Sequence, residues 1–157
     1  MTNTIDRDTH EIRFERHLDA TPQQAFDAWT QPADVTAWWD PTGTPLVACS
    51  IDLRPQGAFR FVSAGHAPPF EGHYQAIERP NRLEFQAMGA LGVVTFAARG
   101  QGTLMSVSIR SPSAEHFEMF LKLGVDQGTA ITLDNLVRHV RSRAGRPADP
   151  SAAAIRA

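Results

Sequence analysis

The sequence predicts an α+β fold: a curved antiparallel sheet of seven strands wrapped on a long C-terminal helix, with two short helices after the first strand. Two patterns predict it. Between Val47 and Arg110, six strand-like runs follow one another with only turns between them. Consecutive short strands joined by turns make an antiparallel sheet with one face covered. From Ser113 to Arg143, Phe117, Phe120, Leu121, Gly124, Gly128, Ile131, Leu136, Val137 and Val140 recur mostly at steps of three and four. That spacing is one stripe of a long helix, or of two helices meeting near Gly124. No other element is large enough to cover the sheet. This is a helix-grip arrangement, and it leaves a space that side chains fill or a ligand enters.

Taken in order, residues 1–9 are polar and read as a disordered N-terminus. Ile12, Phe14, Arg16 and Leu18 alternate with polar neighbours, a strand in which Arg16 is out of place. Thr21-Pro22-Gln23-Gln24 has the cap, the proline and the glutamine of a helix start. Ala25, Phe26 and Trp29 give that helix its buried face. Pro32 opens a second helix carrying Val35, Trp38 and Trp39, and Asp40-Pro41 ends it.

The six strands follow. Val47, Cys49, Ile51 and Leu53 alternate, as do Phe59 and Phe61, then Phe70, Gly72, Tyr74 and Ala76. Leu83, Phe85 and Ala87 point inward, the run from Leu91 to Ala98 is apolar enough for both faces to be covered, and Met105, Val107 and Ile109 point inward again. Ser113 caps the final helix. Arg138, Arg141 and Arg143 suit its C-terminal dipole, before Gly145 and Pro147 stop it. The division is a domain over 10–143 and a disordered tail over 144–157.

A chain of 157 residues suits one domain with its own core. A net charge of −2 gives no pull toward nucleic acid or an anionic membrane surface. No apolar run approaches the ~20 residues that cross a bilayer, and the N-terminus lacks the apolar core of a secretion signal. One cysteine excludes an internal disulfide, which suits the cytoplasm.

Several segments together resemble one family. They are Arg16-His17-Leu18-Asp19-Ala20-Thr21-Pro22, Ala28-Trp29-Thr30-Gln31-Pro32, Trp38-Trp39-Asp40-Pro41 and Asp52-Leu53-Arg54-Pro55-Gln56-Gly57-Ala58-Phe59-Arg60-Phe61. Phe70-Glu71-Gly72-His73-Tyr74, Arg79-Pro80-Asn81-Arg82-Leu83 and Gly102-Thr103 continue the match. The family is that of homologues of the activator of the ninety-kilodalton heat-shock chaperone ATPase, within the START-like (SRPBCC, Bet v 1-like) superfamily. The resemblance spans Ile12 to Val140. It implies a fold that holds small hydrophobic molecules under the last helix, with cyclases and hydrolases among the relatives and a link to stress response through the chaperone-binding namesake. The namesake's extra N-terminal domain is not matched, so a chaperone partner ranks last. Two departures stand out: Gln56-Gly57 replaces a paired glycine, and Gly128-Thr129 replaces a Gly-Trp pair in the final helix.

The residues expected to line a ligand cavity are Trp29, Trp38, Trp39, Phe59, Phe61, Tyr74, Phe85, Met105, Phe120, Gly124 and Gly128. Aromatics are also the usual filling of a core, so pocket and solid core stand level. Tyr74, the only tyrosine, and Arg16 are the candidate polar anchors. A buried guanidinium needs a partner such as Asp126 or a ligand acid; the plainer alternative is a head that reaches water. Six histidines show no metal-ligand spacing, although His66 and His73 could meet across a hairpin. Cys49 reads as a buried, inert thiol. No catalytic set and no cofactor motif emerges. The leading expectation is binding of a small apolar or amphipathic molecule, ahead of an enzyme using the same cavity.

Overall fold

The computed structural model describes residues 2–65 and 67–144. Its elements run β1 (Thr2–Asp6), β2 (Glu11–Leu18), α1 (Pro22–Thr30), α2 (Pro32–Trp38), β3 (Ala48–Ile51), β4 (Ala58–Val62), β5 (Phe70–Glu78), β6 (Arg82–Ala87), β7 (Ala90–Arg99), β8 (Gly102–Arg110), α3 (Ala114–Lys122) and α4 (Val125–Ala144). The strands form one antiparallel sheet in the order β1-β2-β8-β7-β6-β5-β4-β3. Helix α4 lies on β2, α1 on β7 and β8, and α2 on β3 and α4. No helix among the described residues is long and apolar enough to cross a membrane.

The sheet has eight strands, not seven. The extra one is β1, in the segment expected to be disordered. Its sequence, Thr-Asn-Thr-Ile-Asp, has no apolar alternation to announce it. It is held instead by its ladder with β2 and by polar contacts: Arg13 Nη2 to Asp6 Oδ2 at 3.1 Å and Arg16 Nη1 to Asn3 Oδ1 at 2.9 Å. A short polar strand is a common way to finish a sheet edge. The expected tail lies outside the described residues from 145 onward, and so does His66.

The start of α1 forms as its sequence dictates. Thr21 Oγ1 accepts from Gln24 N at 3.1 Å and Gln24 Oε1 accepts from Thr21 N at 2.9 Å, a reciprocal capping box with Pro22 in the first turn. The C-terminal helix is two helices. Gly124 sits between α3 and α4 with φ +76°, a backbone that side chains disfavour. Its glycine therefore makes the turn rather than a close approach or a void. The break also resets the helical phase. Ile131, inward on a continuous stripe, is 48% exposed, and the covered stripe of α4 is Val125, Gly128, Thr129, Thr132, Leu133, Leu136 and Val140.

The core lies between the helices and one sheet face: Ile12, Phe14, Phe26, Val35, Trp38, Leu83, Phe96, Met105, Phe117, Leu133 and Leu136 are almost fully buried. Strand β7 alternates buried and half-buried residues, with Leu91 and Val93 on the outer face. Its apolar run does not mark a second covered face.

Candidate functional site

A cavity of about 260 Å³ opens between the sheet, the α1–α2 corner and the α3–α4 joint. Its floor is set by one close approach. Phe85 on β6 pairs with Gly92 on β7, and a Cβ at Gly92 would lie 2.5 Å from the Phe85 ring. The ring therefore lies down over the neighbouring strand instead of standing into the space. The wall is indole. Trp29 and Trp38 meet edge to face at 5.0 Å, and Trp39 packs on Phe70 at 4.8 Å. Two of these rings have their N–H groups committed: Trp29 Nε1 to Met105 Sδ at 3.2 Å, and Trp38 Nε1 to Ala28 O at 2.9 Å.

The roof comes from Phe120 on α3 and from Val125, Gly128, Thr129, Thr132 and Leu133 on α4. At Gly128 a Cβ would meet nothing within 4 Å, so this position leaves open space. Thr132 Oγ1 donates to Gly128 O at 3.0 Å and reaches Trp39 O at 3.3 Å, while Asn135 Nδ2 donates to Asp40 O at 3.1 Å. These bonds fix α4 to the end of α2. At the mouth stand exposed Pro41 and Met88. His116 pins that edge. Its Nε2–H donates to Met88 O at 2.9 Å, and its Nδ1 accepts from Ser111 Oγ at 2.9 Å.

Among the described residues no charged side chain lines this space. The groups with displaced proton affinity lie elsewhere. Burial, and then the charge of Cys49, push the Tyr74 phenol up; burial raises the Cys49 thiol. Burial works to raise Asp34, but the His139 bond and the Arg143 charge outweigh it and hold its carboxyl low. Among the described residues no group of three or more His, Cys, Asp or Glu side chains could hold a metal ion.

Of the residues singled out from sequence, Trp29, Trp38, Trp39, Phe85, Phe120 and Gly128 line the cavity. The others do not. Phe59, Phe61 and Tyr74 surround a second space of about 10 Å³, too small for more than about one water. Met105 is completely buried beneath Trp29. Gly124 is the helix break. Arg16 is 3% exposed, and its Nε donates to Asp134 Oδ1 at 3.0 Å and its Nη1 to Glu15 O at 2.9 Å. Asp134, rather than Asp126 or a ligand, is its partner, and its head does not reach water. Val125, Thr129, Thr132, Leu133, Phe70 and Met88 were missed. The first four share the i, i+3, i+4 spacing once α4 is counted from Val125, and that was the available signal.

A single antiparallel sheet gripped by a C-terminal helix, with a cavity beneath that helix, defines the START-like class of domain. Residues 19–141 match the family described as activator of Hsp90 ATPase homolog 1-like protein. The chain belongs to that family. Similar solved structures include a protein of Nitrosomonas europaea, 17% identical with TM-score 0.78, covering 87% of this chain and 97% of that one. A protein of Mycobacterium smegmatis is 18% identical with TM-score 0.79, covering 91% and 98%. An AHSA1-like protein from Aeromonas hydrophila is 23% identical with TM-score 0.72, covering 85% and 93%. At these identities the likeness is one of fold. No curated protein matches.

Proposed function

We propose that this protein binds a small apolar molecule in the cavity beneath α4. The observation that carries the reading is the open space at Gly128, within a 260 Å³ cavity walled by indole and phenyl rings. A site of that character gains from removing apolar surface from water. Thr129 adds to it: where the family resemblance sets a tryptophan, this chain leaves a small side chain on the cavity roof.

Acid–base catalysis in the same space would need a titratable group on its lining, and none of the described lining residues supplies one. Action on the Hsp90 ATPase rests on the family's name alone.

Native mass spectrometry of protein purified from its own host, followed by denaturing extraction, tests the reading. A co-purifying apolar molecule, or saturable uptake of N-phenyl-1-naphthylamine that Thr129→Trp abolishes, is the expected result. An empty protein that takes up no probe overturns it.

A further inference from the structure

We infer that the cavity selects an uncharged, flat aromatic molecule of roughly two to three fused rings, oriented by a hydrogen bond to the Thr129 hydroxyl. The inference rests on the binding reading above and specifies its ligand.

Size comes first. An apolar cavity of about 150 Å³ takes up benzene, so 260 Å³ suits a somewhat larger ring system. Shape follows from two positions on opposite elements. The Phe85 ring lies flat on Gly92, and Gly128 presents no side chain at all. The space between is bounded by ring faces and edges of Trp29, Trp39 and Phe120, which favour offset and edge-to-face contact with another ring.

Charge is decided by what the lining lacks. A carboxylate or ammonium carried into the cavity would lose its water and find no opposite charge on the described lining residues. The polar groups that do line it are mostly occupied. The Trp29 and Trp38 N–H groups and the Thr132 hydroxyl are spent within the protein. The Thr129 hydroxyl and the Trp39 indole N–H make no hydrogen bond to the described residues, and among those residues no fully buried side-chain N or O atom is left without a partner. Thr129 Oγ1 therefore keeps access to solvent and, on a residue that lines the cavity, can exchange that water for one oxygen or nitrogen of a ligand.

The test is displacement of N-phenyl-1-naphthylamine from the full chain, followed by fluorescence. The competitors are naphthalene, 2-naphthol, 2-naphthoate and 2-naphthylmethylammonium, against wild type and Thr129→Val. The two ions should compete at least about 100-fold less well than 2-naphthol. Thr129→Val should weaken 2-naphthol about fivefold relative to its effect on naphthalene. Equal competition by either ion, or an equal effect of Thr129→Val on both neutral compounds, overturns the inference while the binding reading stands. No uptake of the probe by wild type overturns both.

Discussion

Arg16 and Asp134 are joined by a 3.0 Å bond yet live in different surroundings: the arginine side chain is 3% exposed and the aspartate 55%. The pair ties β2 to α4 from the far side of the chain. Removing the two partners should not cost the same. Asp134→Ala leaves a buried guanidinium with, among the described residues, only Asn3 Oδ1 and Glu15 O, a loss of about 1–3 kcal/mol after allowing for the exposure of the aspartate. Arg16→Met leaves a carboxylate that water can solvate and should cost less. Urea unfolding of both variants checks the order; a costlier Arg16→Met would contradict it.

Asp34 gives the molecule an acid-sensitive contact between α2 and α4. His139 Nε2–H donates to its Oδ1 at 2.8 Å, and Arg143 bonds the same oxygen. The folded carboxyl sits below its ordinary 3.8, so its contribution is complete above the unfolded value. It is lost as pH falls through the lower, folded one. Asp34→Asn should therefore destabilise by about 1–3 kcal/mol at pH 6. The gap to wild type should close as pH drops below about 4. Urea midpoints at a series of pH values read this directly.

The two glycines of the C-terminal helices should respond oppositely to alanine. Gly128→Ala meets no atom within 4 Å, so the helix should gain about 1 kcal/mol while the cavity loses volume and affinity for an apolar probe. Gly124→Ala forces a side chain into φ +76° and should cost about 1–2 kcal/mol. Thermal melts of both variants, with probe binding for the first, separate the roles.

Gln56 holds φ +68°, and its N–H bonds Tyr74 O at 2.8 Å. A glycine there, as the family pattern has it, should relieve the backbone and stabilise by about 0.5–1 kcal/mol. Neighbouring Gly57 admits no such freedom: its Cβ would sit 2.0 Å from Asp52 O. A higher melting temperature for Gln56→Gly, with Gly57→Ala markedly lower, is the expected result.

The strands from Ala48 to Arg110 and the cap at Thr21 were legible because apolar alternation and capping chemistry are local signals. Val47, read as the start of the first of them, lies just outside it and is exposed. The strand at Thr2–Asp6 was not, since polar ladder contacts leave no pattern. Half of the cavity was legible through its large rings. The rest depended on the phase of α4, which a single stripe drawn across Gly124 misassigned, placing Ile131 inside and passing over Thr129 and Leu133. Arg16 stood out from sequence, but its partner lies 118 residues away and no spacing points to it.

Strand β1 also covers the outer edge of β2, the row of N–H and C=O groups on the side away from β8. Trimming those first residues as a loose leader would uncover that row and take Asn3 from Arg16 at the same time. An open strand edge is a template for another chain. Without the amino-terminal segment the chain should self-associate, which would show first as turbidity, with the cavity beneath α4 untouched.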